Sequence, residues 1–191
     1  GVMHTSNTLY ANIVPYAERL HLNENDVILM ASPMAHQTGF MYGLIMPVIL
    51  QAKVVLQDVW EVSQAVALIH QHQVSFTMAS TPFLNDLANT VAEHHDQVKS
   101  LKTFLCAGAP IPGPLVEQAR QILGVKVISA WGMSECGAVT TTRPEDDDER
   151  SYHTDGIPLP GVEIKIIDKA GNVKPVNEAG RLLIRTCSNV G

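Results

Sequence analysis

A strand, a helix and a second strand follow one another in residues 101–130, LKTFLCAGAPIPGPLVEQARQILGVKVISA. The runs 101–107 and 125–130 are short and mostly apolar, as expected of strands that are buried on both faces. Between them, residues 113–123 carry apolar side chains at helical spacing. Two parallel strands need a crossover connection of this kind. The stretch therefore predicts a parallel β-sheet covered by helices.

The same alternation extends toward the N-terminus. Further strands are predicted at residues 27–32, 53–57 and 74–80. Helices are predicted at residues 38–51, 61–72 and 83–94, after a first helix that contains Pro15 and begins at an N-cap, Ser6 or Asn7. Strand and helix alternate throughout, so the predicted fold class is α/β, a doubly wound, mostly parallel sheet with flanking helices.

The pattern changes after residue 143. Residues 144–161 are charged and rich in proline and glycine, which is typical of a connector, and the acidic run at 145–149 is interpreted as a solvated loop. In residues 162–168 and 181–185, apolar and polar residues then alternate with period two, as expected of a β-hairpin with one face exposed to solvent. The predicted organisation is an α/β subdomain at 1–143, a connector at 144–161 and the start of a small antiparallel β unit at 162–191.

Composition excludes several classes of protein. Thirteen basic against nineteen acidic residues give a net charge of −6, which argues against a nucleic-acid partner. The three cysteines are far apart and the histidine pairs lack zinc spacing, so a disulfide framework and a zinc knuckle are not expected (Cys106, Cys136 and Cys187; His70 with His72, His94 with His95). A reducing, cytoplasmic location is the resulting expectation.

Residues 27–52 carry no formal charge and are long enough to span a membrane. Pro33, His36, Gln37 and Pro47 interrupt them, however, so a strand, a loop and a helix are predicted instead of a transmembrane segment. Peripheral contact with a membrane stays open. An unpaired sheet edge can pair with a second copy of the chain, so a homo-oligomer is also compatible with the sequence.

The segment WGMSECG (131–137) follows the last predicted parallel strand. Ligands of open parallel sheets bind beyond the carboxyl ends of the strands. There, Trp131 offers a face for a nucleobase, Ser134 a hydroxyl for a phosphoryl oxygen and Glu135 a carboxylate for Mg²⁺. The alternative is structural, with Trp131 packing, Ser134 capping a helix and Glu135 lying in its first turn. Spacing alone does not decide between the two.

Two other strand ends carry candidate residues. The small residues of AGAP (107–110) let a flat ligand approach the backbone closely. His36, after the first strand, is a candidate for orienting a carboxylate or acting as a base, or else a histidine that is satisfied within the core. No GxSxG, GxxxxGK[ST] or GxGxxG motif is present, so hydrolase and dehydrogenase functions lose their main support.

Taken in order, these segments resemble the adenylate-forming superfamily of acyl-CoA synthetases, adenylation domains and luciferases. GVMHTSN (1–7) resembles the end of the family's phosphate loop, PMAHQTG (33–39) its PLFHxxG segment, and AGAP (107–110) its GGAPL loop. WGMSE (131–135) resembles YGxTE, with Trp131 for tyrosine and Ser134 for threonine. DGIPLPG and the strand after it (155–168) resemble the entry to the family's small β unit, and GRLLIR (180–185) matches GEIxxRG only in part.

The resemblance implies an AMP-forming acid–thiol ligase that uses ATP, Mg²⁺ and CoA. It implies catalytic roles for Ser134 and Glu135, with Glu135 also the metal ligand. The implied nucleotide-binding positions are Gly108, Ala109, Pro110, Trp131, Gly132, Met133 and Ser134, and the implied substrate-binding positions are His36, Gly39, Ala107 and Gly137. It also implies an internal piece of the large N-terminal domain, inactive alone, because the phosphate loop would precede Gly1 and the domain with the catalytic lysine would follow Gly191.

The acid is expected to be a short- to medium-chain fatty acid. Amino-acid-activating members place an aspartate in an FDxS segment, where this chain has Met34-Ala35-His36, and an unpaired ammonium in an apolar pocket is costly. The apolar residues expected around the acyl chain are Phe40, Met41, Ile45, Met133, Ala138 and Val139. An aryl acid is the alternative substrate. A non-catalytic nucleotide-binding module of this fold, and an α/β domain without a nucleotide site, are the alternatives to an enzyme.

Overall fold

A seven-stranded sheet forms the centre of the computed structural model, which describes residues 1–91 and 95–190. Its strands are β1 (Val27–Met30), β2 (Lys53–Leu56), β3 (Phe76–Ala79), β4 (Thr103–Ala107), β5 (Lys126–Met133), β6 (Gly137–Thr141) and β7 (Ile157–Pro158). They lie in the order β2-β1-β3-β4-β5-β6-β7. Strands β1 to β5 are parallel to one another, β6 is antiparallel to β5, and β7 is antiparallel to β6. The predicted α/β class with a mostly parallel sheet is confirmed.

Helices connect the parallel strands, and two further helices lie before β1 and between β6 and β7. They are α1 (Ser6–Arg19), α2 (Gln37–Phe40), a π-helical segment (Met41–Ile45), α3 (Met46–Leu50), α4 (Val62–His72), α5 (Thr81–Thr90), a 3₁₀ turn (His95–Val98), α6 (Gly113–Leu123) and α7 (Asp148–His153). The predicted helix at 83–94 begins two residues early in the structure, and its last residues, 92–94, lie outside the described ranges. The same holds for His94 of the adjacent histidine pair.

Each parallel strand sends side chains to two separate cores. In β4, for example, Phe104 and Cys106 enter the core under α4, α5 and α6, whereas Leu105 enters the core under α1 and the segment from α2 to α3. All three side chains are 1% exposed or less, so the strand is buried on both faces. This accounts for the continuous apolar runs in the sequence, because no face of such a strand meets water.

The start of α1 corrects one prediction. The N-cap is Thr5, whose side chain accepts from the Thr8 backbone N–H, while the Thr8 hydroxyl accepts from the Thr5 backbone N–H. This reciprocal pair satisfies two donors at the helix N-terminus, as a capping box does. Ser6 and Asn7 are the first helical residues instead.

The predicted connector at 144–161 contains ordered elements. Residues of α7 pack against β5 and α6, and β7 adds the last strand to the sheet through Ile157 and Pro158. Ser151 of α7 donates a 2.7 Å hydrogen bond to the Val127 carbonyl. The division of the chain at residues 143 and 161 stays a prediction. In the structure, the segment 144–161 contributes a strand to the sheet and a helix that packs against it.

The small β unit contains one antiparallel hairpin in the described residues. Strands β8 (Glu163–Ile167) and β9 (Arg181–Arg185) pair in register, with Glu163 opposite Arg185 and a 2.5 Å ion pair between them. Asp168 accepts from the backbone N–H groups of Ala170 and Asn172 and so shapes the turn. The predicted period-two hairpin is confirmed. None of the helices in ranges 1–91 and 95–190 is long and apolar enough to cross a membrane.

Burial predicts a selective pattern of cysteine alkylation. Burial raises the pKa of the Cys106 thiol to about 12 and also raises the pKa of Cys136, whereas Cys187 is exposed. A raised pKa keeps a thiol neutral at pH 8, and the thiolate is the nucleophile. We expect iodoacetamide to label Cys187 in the folded protein and Cys106 only after unfolding, as measured by peptide mass spectrometry. Equal labelling of Cys106 before and after unfolding would contradict this arrangement.

Candidate active site at the carboxyl edge of the sheet

A cavity of about 440 Å³ opens at the carboxyl ends of the parallel strands. Much of its wall comes from the loop after β1 and from the carboxyl ends of β3, β4 and β5: Ser32, Pro33 and His36 to Thr38, Met78 to Ser80, Ala107 with Gly108, and Ala130 to Ser134. The strand order reverses between β1 and β3, because β1 lies between β2 and β3 in the sheet. Connections leave in opposite directions at such a point and open a crevice between them. The topology therefore produces the cavity.

A second cavity, of about 430 Å³, adjoins the first. It is lined by the loop from Gly108 to Ile111, by Ser129 to Gly132 and by the end of α7 with the residues after it, Ser151 to Asp155. Gly108, Ala130, Trp131 and Gly132 line both cavities. The half-buried ring of Trp131 therefore stands where the two spaces meet.

The predicted strand end at WGMSECG is a hairpin turn. Strand β5 runs to Met133, and β6 begins at Gly137 and returns antiparallel to it, with a register shift between Trp131 and Gly132. No helix follows Ser134 in the described structure, so the interpretation of Ser134 as an N-cap and Glu135 as a first-turn acid is wrong. Trp131, Gly132, Met133 and Ser134 are brought to the cavity wall together.

Two glycines make this tight turn feasible. Gly137 has φ of +72°, in the left-handed region that favours glycine. A Cβ on Gly137 would lie 2.5 Å from Asn12 Oδ1, and a Cβ on Gly132 would overlap the Gly137 carbonyl. The spacing of these glycines in the sequence thus reflects close approach of the backbone.

The Ser134 side chain and the Glu135 side chain both face solvent at the tip of the turn. Among the described residues, the Glu135 carboxylate forms no salt bridge, and no group of three metal-ligating side chains is present. A divalent cation at Glu135 would therefore take its remaining ligands from phosphate oxygens and water. That coordination is the one Mg²⁺ favours, so a free carboxylate oxygen at this position fits the ion.

Buried polar groups hold the strand that follows the turn. The Tyr42 hydroxyl donates to Asn12 Oδ1 (2.7 Å) and accepts from the Ala138 N–H (2.8 Å), and Asn12 Nδ2 donates to the carbonyls of Cys136 (3.0 Å) and Ala138 (2.7 Å). Burial raises the pKa of Tyr42 well above its usual value, so the phenol stays protonated and keeps its donor. Tyr42 lies in the π-helical segment, a deviation found often near functional sites.

His36 stands at the mouth of the first cavity as the N-cap of α2. Its Nδ1 accepts from the Thr38 N–H at 3.2 Å, so the neutral ring carries its proton on Nε2. The side chain is exposed, which excludes the alternative of a histidine satisfied within the core. His36 is thus available to donate from Nε2 to a bound carboxylate.

The predicted site residues separate into three groups by position. The first cavity is lined by His36, Ala107, Gly108, Trp131, Gly132, Met133, Ser134 and Gly137, and the second by Gly108, Ala109, Pro110, Trp131 and Gly132. In the described part of the chain, Glu135 and Gly39 line neither cavity. Gly39 is buried, and a Cβ there would overlap the carbonyls of Ser32 and Pro33. Its position suits close packing of α2 on the loop after β1.

The expected acyl-chain residues are only partly in place. Met133 and Ala138 line the first cavity, whereas Met41 and Val139 are fully buried in the protein interior and Phe40 is exposed. Apolar lining that the sequence analysis missed comes from Tyr42, Met78, Ala79 and Phe83. A signal for Met78 and Ala79 was available, because they lie near the carboxyl end of the strand predicted at residues 74–80, where ligands of parallel sheets bind. Tyr152 to Asp155, which line the second cavity, were missed because they lie in the segment interpreted as a connector.

Comparisons with known proteins match nearly the whole chain. A family model described as "AMP-binding enzyme" matches residues 1–190. The chain is 34% identical over 175 residues to the medium-chain fatty-acid–CoA ligase of Escherichia coli (strain K12), a match that covers 92% of this chain and 31% of that protein. It spans, in other words, less than a third of this relative's length.

Solved structures match the fold equally well. The o-succinylbenzoate CoA synthetase of Bacillus subtilis, solved with ATP and a magnesium ion, superposes with a TM-score of 0.90 at 30% identity over 99% of this chain and 38% of that one. The same enzyme solved with its acyl-adenylate intermediate gives a TM-score of 0.89 with the same identity and coverage.

Proposed function

We propose, since the chain belongs to the AMP-binding enzyme family, that the whole protein activates a short- to medium-chain fatty acid with ATP and transfers the acyl group to CoA. One observation carries this proposal: two cavities adjoin at Trp131 and Gly108, and the Ser134 turn stands beside them. An acyl-adenylate has an acyl chain and an adenine on either side of a phosphate. Two adjoining pockets of this size suit such a molecule.

In the proposed first step, a carboxylate oxygen of the acid attacks the α-phosphorus of ATP, and pyrophosphate leaves with the electron pair of the broken P–O bond. His36 donates from Nε2 to the acid and holds it at the mouth of the apolar cavity. The Ser134 hydroxyl donates to a phosphoryl oxygen. Bound Mg²⁺, held by Glu135, would offset the negative charge that the phosphates carry.

In the proposed second step, the thiolate of CoA attacks the acyl carbonyl carbon, and AMP leaves with the electron pair of the mixed anhydride bond. The small residues at 107–110 let the reacting carbonyl approach the backbone. The fully apolar side chains of Met78, Phe83 and Ala138 would surround the acyl chain. An ammonium group in this lining would have no counter-charge, so an amino-acid substrate is disfavoured.

An aryl acid is the second candidate substrate. It is favoured by the fold match to an enzyme named for o-succinylbenzoate, at 30% identity. The E. coli relative, named for medium-chain fatty acids, is 34% identical and supports the fatty acid. An assay across acids distinguishes the two candidates.

A panel of acids tests this proposal. We expect the whole protein to release AMP in the presence of ATP, Mg²⁺ and CoA, with kcat/KM for octanoate above that for benzoate and about tenfold above that for hexanoate, since each of the two additional methylenes buried contributes roughly 0.8 kcal/mol. AMP release would be followed by chromatography with hexanoate, octanoate, benzoate and leucine. A kcat/KM that is higher for benzoate than for octanoate would show that the substrate is an aryl acid and not a fatty acid. Absence of AMP with every acid would favour the non-catalytic module.

Substitution of Trp131 tests the nucleotide side. Trp131→Ala is expected to raise the dissociation constant of ATP by roughly 5- to 150-fold, because stacking on a nucleobase contributes about 1–3 kcal/mol. Trp131→Tyr keeps an aromatic face and is the matched control, with a change of less than about fivefold. Isothermal calorimetry on the whole protein provides the constants. Equal weakening by both substitutions would show that ring stacking is not what Trp131 contributes.

A further inference from the structure

The backbone of the Ser134–Glu135 turn is held by parts of the chain that are distant in sequence. His4 Nε2 lies 2.7 Å from the Ser134 carbonyl oxygen, and the Val190 N–H donates to the Glu135 carbonyl at 2.9 Å. The carbonyls of Cys136 and Ala138 accept from Asn12. Four carbonyls within five residues are therefore fixed by side chains or backbone from outside the turn.

We propose that His4 is a positioning residue, which fixes the Ser134–Glu135 turn where the nucleotide and its metal bind, together with the buried pair Asn12 and Tyr42. The proposal rests on the function proposed above. It adds His4 and Asn12, which would act only through the Ser134–Glu135 turn, and Tyr42, which holds the same turn and also lines the acyl cavity.

The imidazole of His4 is itself well anchored. Its Nδ1 lies 3.0 Å from Thr8 Oγ1, and Thr8 belongs to the capping box at the start of α1. A carbonyl oxygen can only accept, so Nε2 must be the donor toward Ser134. The ring is half-buried and bridges the first turn of α1 to a hairpin 130 residues away. His4 thus joins the beginning of the chain to the tip of the candidate site.

The position of the turn matters because the side chains at its tip have little else to direct them. Both are exposed, and no hydrogen bond to either side chain is found among the described residues. Their direction follows from the backbone of the turn. A displacement of about 1 Å at a reacting centre can cost roughly 10²-fold in rate. A donor that fixes the Ser134 carbonyl therefore contributes to the rate without contacting the substrate.

The pair Asn12 and Tyr42 fixes the other side of the turn. Both side chains are at most 2% exposed, and every polar atom that they direct at β6 has a partner. A buried network in which every polar atom has a hydrogen-bond partner specifies one arrangement of the backbone. Tyr42 also lines the acyl cavity, so it connects the wall of that cavity to the strand beyond the turn.

Conservative and disruptive substitutions of His4 test the proposal in the whole protein. His4→Leu removes the donor, whereas His4→Gln retains an N–H₂ that can reach the Ser134 carbonyl. We expect His4→Leu to lower kcat of ATP–pyrophosphate exchange at least tenfold with KM for octanoate changed by less than twofold, because His4 itself is not among the residues that line the acyl cavity. His4→Gln should recover most of the rate. His70→Leu, at an exposed position on α4, is the control and should match the unmodified protein.

Amide hydrogen exchange gives a second readout that does not depend on activity. We expect the backbone of residues 131–138 to exchange faster in His4→Leu than in His4→Gln or His70→Leu, with regions other than the start of α1 unchanged. Equal rates and equal exchange in His4→Leu and His70→Leu would overturn the proposal. So would an identical loss in His4→Leu and His4→Gln. If the unmodified protein catalyses no exchange with any acid, the proposed function fails, and amide exchange still decides whether His4 fixes the turn.

Tyr42→Phe supplies an independent variant from the buried side. It removes one hydroxyl and retains the ring, so the Ala138 N–H and Asn12 Oδ1 lose their partner. The expected signature is the same as for His4→Leu, a lowered kcat with faster amide exchange in residues 131–138. Exchange that rises uniformly over the protein would assign Tyr42 to general stability alone and remove it from the proposal, which the His4 variants then decide.

Discussion

Glu135→Ala is expected to lower the rate of adenylate formation by roughly 10²–10³-fold, the largest effect of any single side chain in the site. A metal ion that offsets phosphate charge contributes several kcal/mol to the transition state. Glu135 is exposed at the turn, forms no salt bridge among the described residues and directly follows Ser134, which lines the first cavity. In the proposed site, removal of this carboxylate would leave Mg²⁺ without its ligand from the turn.

The charge of Glu135, more than its shape, should matter. Glu135→Gln is therefore expected to lose nearly as much rate as Glu135→Ala, and both should regain part of it when Mg²⁺ is raised. Glu24→Ala, at an exposed position after α1, is the matched control. Pyrophosphate release would be followed in single-turnover reactions as Mg²⁺ is varied. Rates of the Glu135 variants equal to that of Glu24→Ala would remove Glu135 from the catalytic role.

Gly137→Ala is expected to destabilise the protein by roughly 2–5 kcal/mol and to abolish adenylate formation. A left-handed φ costs a residue with a Cβ about 1–2 kcal/mol, and Gly137 has φ of +72°. The new methyl group would also lie 2.5 Å from Asn12 Oδ1 and displace the amide that holds Cys136 and Ala138. Loss of buried hydrogen bonds adds about 1–3 kcal/mol.

The variant Gly171→Ala separates the backbone cost of a left-handed φ from the cost of the clash with Asn12. Gly171 has φ of +91°, but a methyl group added there would meet no atom within 4 Å, so only the backbone cost applies. Thermal unfolding of both variants would measure the difference, which we assign to the clash with Asn12. A Gly137→Ala protein as stable as Gly171→Ala would show that the network around Asn12 adjusts at little cost.

Strand positions were predictable because burial on both faces leaves a simple pattern. Runs such as 101–107 and 125–130 carry mostly apolar residues, and the crossover helix between them is regular. Strand β6 was missed for a physical reason. It follows β5 through a turn of only three residues, and its sequence GAVTT is too short and mixed to signal a strand alone. Tertiary pairing with β5 makes it a strand.

The position of the site was also predictable, and the resemblance to the family is confirmed by the match over residues 1–190. Strand ends in a parallel sheet share one edge, so residues after β1, β4 and β5 were expected to meet, and they do. The contact of His4 with Ser134 was not predictable, because 130 residues separate them and neither shows a local pattern. The same is true of Tyr42, whose hydroxyl accepts from the Ala138 N–H of β6 across a separation of 96 residues.

ATP–pyrophosphate exchange tests the central claim most directly, because it reports the first step without CoA. The whole protein should incorporate labelled pyrophosphate into ATP only when octanoate and Mg²⁺ are present, and Ser134→Ala should reduce this incorporation at least tenfold. Incorporation that does not depend on an acid, or none with octanoate, benzoate or any acid of the panel, would contradict the assignment of the cavity at Trp131 and Ser134 to adenylate formation.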